Sequence, residues 1–162
     1  MKSLKFTLAF VTAIVFTSVA HADDDARASS TSTSLELRGS VAVNCTIGIT
    51  PTAKATNLDI VNGEKDTLVG VATESCNSGN GYTVQLTSSN QGSLINKATG
   101  ATPTTYQASY DDGAGSIASK IVAGRDKAQF GRQGKLLVSF SGNSQAIAGT
   151  YSDVINLVVA AK

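Results

Sequence analysis

The chain has no tryptophan, and its single methionine and single histidine are Met1 and His21. Residues 23–162 therefore carry no imidazole. Ser-His-Asp and Cys-His arrangements need one to activate their nucleophile, and His/Cys zinc sites need one as a ligand, so both are excluded there. Two cysteines, Cys45 and Cys76, are the whole thiol complement, and they lack the C-x-x-C spacing of a redox pair. Charged residues make up 15% of the chain. Removing Lys2 and Lys5 from the 13 basic residues leaves 11 against 12 acidic ones, a net charge of −1. Scattered charge of that size provides no footprint for nucleic acid or an anionic membrane.

The remaining chemical readings are weak. Asp111 and Asp112 are adjacent, so on a strand they would point to opposite faces. Followed by Gly113 they read as a turn; a carboxylate pair for hydrolysis needs a defined separation. The glycine-rich stretches join strands and do not open a helix, so no phosphate loop is present. Three consecutive acids, Asp23 to Asp25, lack the ligand spacing of a calcium loop. Tyr82, Tyr106, Tyr110 and Tyr151 sit at alternating strand positions, as core or sheet-packing residues do. The expectation is a structural or binding protein, not an enzyme, with no cofactor and no metal.

What is present begins with a basic start, Met1-Lys2-Ser3-Leu4-Lys5, then an apolar run from Phe6 to Val19 and Ala20-His21-Ala22. This is the pattern of a secretory signal peptide cleaved after Ala22; fourteen apolar residues are too few to span a bilayer. In an exported protein the even cysteine pair reads as a disulfide. It would contribute about 3 kcal/mol by restricting the unfolded chain.

Residues 23–162, 140 in all, are enough for one domain with a single core. Asp23 to Thr33 is small and polar and would be disordered alone. Then "SLELRGSVAVNCTIGI" (Ser34 to Ile49) alternates for some fifteen residues, with Leu35, Leu37, Val41, Val43, Cys45, Ile47 and Ile49 on one parity. That is a half-buried strand, but strands usually run about five or six residues. Pro51 ends it.

Further strands are expected in "NLDIV", "TLVGVATESC" (its inner face broken by Glu74), "YTVQLTSSN", "TYQASY", "GSIASKIVAG", "KLLVSFSG" and the terminal "GTYSDVINLVVAAK". No helical period is sustained. Seven or eight short strands separated by Gly, Asn, Ser and Thr imply an all-β fold, an antiparallel sandwich or barrel.

The order of these motifs resembles subunits of bacterial chaperone–usher pili, especially the archaic class and the related spore coat U-type secreted domains. The likeness rests on "VNCTIG", a second cysteine in "TESCNSGNGYTVQL", "TYQASYDD" and the closing "GTYSD" strand. It implies an immunoglobulin-like sandwich lacking its final strand, with a groove beside an open sheet edge. A periplasmic chaperone fills that groove first, and the N-terminal extension of the next subunit then replaces it as an added strand. The product is a head-to-tail fibre delivered by an outer-membrane usher to the cell surface, where it meets host or abiotic surfaces.

Carried onto this chain, residues 23–39 are the extension and 40–162 the domain. Thr31, Thr33, Leu35 and Leu37 are the groove-facing donor residues, with Gly39 where the two uses of the long strand meet. The resemblance has the first strand start near Val41, tied to the second by Cys45 and Cys76. Val41, Val43, Ile155, Leu157 and Val159 border the acceptor groove, and a chaperone would anchor the carboxylate of Lys162. Ala161 stands where many pilins of the best-known class have tyrosine, which agrees better with the archaic class. The alternative is a self-contained secreted β-sandwich that binds a ligand, such as a glycan-binding adhesin or a spore-coat-like protein.

Overall fold

The computed structural model describes residues 31–162 apart from 112 and 116, with backbone alone for 113–115. The expected leader with its cleavage after Ala22, His21, Asp23–Asp25 and Asp112 all lie outside the described residues. The chain divides into two units, Met1–Gly39 and Ser40–Lys162. In the first, residues 31–39 have no regular structure and are exposed.

The second unit holds ten strands among the described residues: β1 (Cys45–Pro51), β2 (Gly63–Cys76), β3 (Tyr82–Ser88), β4 (Ser93–Leu94), β5 (Thr104–Thr105), β6 (Gln107–Tyr110), β7 (Gly113–Gly115), β8 (Ile121–Arg125), β9 (Gln129–Ser141) and β10 (Ile155–Ala161). All pairings are antiparallel. One sheet runs β1-β2-β9-β6-β7, a second β10-β3-β8, and β4-β5 form a short ribbon. Of the two open readings, the sandwich holds: among the described residues no sheet closes on itself into a barrel.

The core is the space between the two main sheets. Ala72 and Cys76 of β2, Tyr110 of β6, and Leu136 and Val138 of β9 meet Tyr82, Val84 and Leu86 of β3 there. Alternation supplies each of these faces, since every second side chain points to the same side. β2 departs from strict alternation. It buries Val69 on odd parity and Ala72, Glu74 and Cys76 on even parity. A bulge between Leu68 and Gly70 separates the two halves; an extra residue on one strand exchanges inward for outward from that point on. Cys45 lies directly opposite Cys76 and is bonded to it, at an S–S length of 2.03 Å.

Three local expectations are corrected. The first strand begins at Cys45, not near Val41, and Val41 and Val43 are exposed in the non-strand stretch before it. "NLDIV" is not a strand; a 3-10 turn spans Ala53–Thr56 and another turn follows. The cause of the second turn is Asp59. Its carboxylate accepts from the Asn62 N–H at 2.9 Å and its carbonyl from the Gly63 N–H at 2.8 Å, a local side-chain-to-backbone closure that competes with extension. Leu58 and Ile60 still pack half-buried against the core. In "GSIASKIVAG" the strand is confined to Ile121–Arg125 at its C-terminal end, while Ile117 is buried from a turn.

Candidate functional site

β1 and β10 are both edge strands, one from each main sheet, and they run near one another without pairing. Antiparallel ladders alternate residues that bond the partner with residues that face away from it. At the two ends of β10, the Ser89 N–H donates to the Val154 carbonyl and the Lys162 N–H to the Gly81 carbonyl. Even-numbered residues therefore bond β3, and the N–H and C=O groups of Ile155, Leu157, Val159 and Ala161 lie along the free edge. β1 behaves alike. The Asn77 N–H donates to the Asn44 carbonyl and the Thr52 N–H to Val69, so even residues face β2. Cys45, Ile47, Ile49 and Pro51 are left on the free edge.

Most of the side chains of these free-edge residues turn inward, Pro51 and Ala161 being exposed. Ile155, Leu157 and Val159 are half-buried against the core, as are Cys45 and Ile47, while Ile49 is more exposed. Where the end of β1 nears the start of β10 the space widens to an apolar cavity of about 240 Å³. Its walls include Ile49, Pro51, Val69, Phe140 and Ile155. Unpaired backbone beside an uncovered apolar surface is the arrangement that accepts an added strand.

Among the described residues, the one charged group in the cavity wall is Asp153, and its oxygens are occupied. It accepts from the Tyr106 hydroxyl at 2.6 Å, from the Ser88 hydroxyl, and from the N–H groups of Asn90 and Val154. Burial would raise its pKa, but these four donors outweigh burial and hold it below the ordinary value. Tyr106, buried and donating to a carboxylate, is pushed up.

A second polar cluster lies at the other end of the sandwich. Glu74 is fully buried. Arg125 grips it with Nη2 at 2.9 Å and Nε at 3.0 Å, and the Tyr82 and Tyr110 hydroxyls donate to it. Asp111, at the β6–β7 turn with φ +50°, accepts from Arg125 and Arg132, each at 2.6 Å. Burial pushes Glu74 toward protonation, but Arg125 and the two hydroxyls prevail and lower its pKa. Tyr82 is pushed up to about 12 by burial and by the carboxylate it bonds. Every charge here has a protein partner, so the cluster cross-braces β2, β6, β8 and β9.

The residues expected at the groove are distributed unevenly. Ile155, Leu157 and Val159 lie on the β10 edge. Val41 and Val43 precede β1, and the β1 edge is formed by Cys45, Ile47, Ile49 and Pro51 in their place. Thr31, Thr33, Leu35 and Leu37 are exposed, both leucines at 85%. Tyr82, Tyr106 and Tyr110 are buried in the core and Tyr151 is half-buried. The Glu74 cluster was signalled by an acid on the inner face of an apolar strand; its arginines carried no such mark. No protein-family model, no curated protein and no solved structure matches this chain.

Proposed function

We propose that this protein is a structural subunit of a surface fibre, polymerised by donation of an N-terminal strand from one copy to the groove of the next. The observation that carries the reading is the pair of open edges, β1 and β10, bordering an apolar cavity. The occupant is residues Thr31–Gly39 of a second copy. That segment is extended in pattern and unpaired, and Leu35 and Leu37 fall on one parity with their side chains in solvent. Exposed leucines two residues apart are a strand's apolar face without a sheet, and burying each contributes about 2 kcal/mol.

On this reading the domain is an immunoglobulin-like sandwich short of its last strand. Export through the periplasm, an assembly chaperone that covers the groove, and an outer-membrane usher follow from the same likeness to archaic chaperone–usher pilins. A self-contained binding module would have its long first strand paired along its whole length; residues 31–44 form no strand.

The test is deletion of Asp23–Gly39, with and without a co-expressed periplasmic chaperone. The intact chain should give fibres that withstand mild denaturant, and the deletion should give none while still binding the chaperone. Fibres of unchanged yield from the deletion would refute the reading.

A further inference from the structure

Residues just ahead of β1 are held in an unusual way. β2 ends at Cys76 and turns away, yet the ladder continues. The Asn77 carboxamide stands in for the missing peptide unit: its Oδ1 accepts from the Asn44 N–H at 2.7 Å, and its Nδ2 donates to the Ala42 carbonyl at 2.8 Å. With the backbone bond from Asn77 N–H to the Asn44 carbonyl, three hydrogen bonds tie Ala42 and Asn44 to Asn77. The neighbouring Cys45–Cys76 bond anchors the base of this stretch.

This matters for where Thr31–Gly39 can go. To enter the groove of its own molecule, the segment must reverse and run antiparallel beside the free edge of β1. With Ala42 held, the tightest reversal that keeps the leucines on the inward parity uses Gly39, Ser40 and Val41 as its loop. Leu37 then falls opposite Val43, outside β1, and Leu35 opposite Cys45. Thr31 falls opposite Ile49, so the apolar cavity would receive the polar half of the segment. A reversal through Ala42–Asn44 would instead place Leu37 opposite Ile49 and Leu35 opposite Pro51, at the cavity. That loop requires breaking the Asn77 contacts. A segment arriving from a second copy is under no such restriction.

We propose that Asn77 is an exit clamp that keeps Leu35 and Leu37 from reaching the apolar cavity of their own groove and so commits them to another copy. The proposal rests on the donor-strand reading above and adds the device that makes exchange intermolecular. Both a donor and an acceptor are required at this position, at the spacing of a peptide unit. Alanine has neither, and aspartate accepts from Asn44 but cannot donate to Ala42.

The experiment uses the full chain, expressed with its own leader, and a fluorescent peptide of sequence Thr31–Gly39 as probe. N77A and N77D are made in two backgrounds: the native segment, and a donor-dead chain carrying L35R and L37R. In the native background both variants should take up peptide at least tenfold more slowly than the parent and should shift from fibre toward monomer. In the donor-dead background, where nothing can fold back, N77A should take up peptide at the parent's rate within about twofold. Native-background variants that bind peptide and polymerise like the parent would overturn the clamp. So would an equal loss of uptake in both backgrounds, because the side chain would then be shaping the groove itself. Failure of the donor-dead parent to take up peptide at all would overturn the donor-strand reading and the clamp with it.

Discussion

Replacing Arg125 with Met should expose how much the ion cluster at the Glu74 end contributes, and it should do so with a diagnostic pH dependence. Glu74 is fully buried and Arg125 holds both its oxygens, at 2.9 and 3.0 Å. Removing one partner of a buried pair costs about 3–5 kcal/mol. The Tyr82 and Tyr110 hydroxyls and Arg132 at 3.4 Å remain, which places the loss near the lower end, about 3 kcal/mol. At about 4 °C per kcal/mol for a domain of this size, Tm should fall by about 12 °C at neutral pH.

The pH dependence follows from the direction of the shift. In the parent, Glu74 titrates below its unfolded value of 4.5. Its contribution is therefore present above that pH and is lost as pH falls through the folded value. Without Arg125, burial is no longer outweighed and the folded pKa rises above the unfolded one. The variant then keeps stability in acid and loses it as pH rises through the raised value. The gap between parent and variant should be small near pH 4 and largest near pH 8. Circular dichroism melts and urea titrations across that interval measure it. A constant offset at every pH, or a loss below about 1 kcal/mol at neutral pH, would refute the reasoning.

Three further outcomes are expected. Truncating Leu35 and Leu37 to Ala in the Thr31–Gly39 peptide removes about 4 kcal/mol of apolar burial, so its affinity for the donor-dead chain should fall about a thousandfold by fluorescence anisotropy. Replacing Cys45 and Cys76 with Ser should cost about 3 kcal/mol in urea titration, with the parent insensitive to thiol-alkylating reagent until reduced. Gly81→Ala should destabilise by more than about 2 kcal/mol in the same assay, because Gly81 has φ +82° and a Cβ there would sit 2.0 Å from the Arg125 carbonyl oxygen.

Strand faces were legible wherever alternation was unbroken. Tyr82, Val84 and Leu86, Tyr106, Ala108 and Tyr110, and Leu136, Val138 and Phe140 are each marked in the chain and each buried. Two kinds of feature were less readable. One was local closure by a polar side chain: Asp59 turns "NLDIV" back although its apolar residues alternate as a strand's would. The other was a change of parity inside β2, where one bulge lets Val69 and Ala72 face the same core.

The sequence by itself determined the all-β class, the inner faces and the disulfide partners, because those depend on alternation within a strand and on there being only two cysteines. Tertiary structure decided where the alternating run from Ser34 to Ile49 stops belonging to a sheet. The run continues in pattern through Val41 and Val43, but β2 ends at Cys76; past it the Asn77 N–H still bonds the Asn44 carbonyl, while the Asn77 side chain takes the place of further backbone, so the strand begins at Cys45. It also decided that Glu74 is a buried ion and not a misplaced surface acid. Its partners Arg125 and Arg132 lie 51 and 58 residues away and meet it only where β8 and β9 come together over the end of β2. Pattern within a strand reports which way a side chain points; which charge waits there depends on how the strands are brought together.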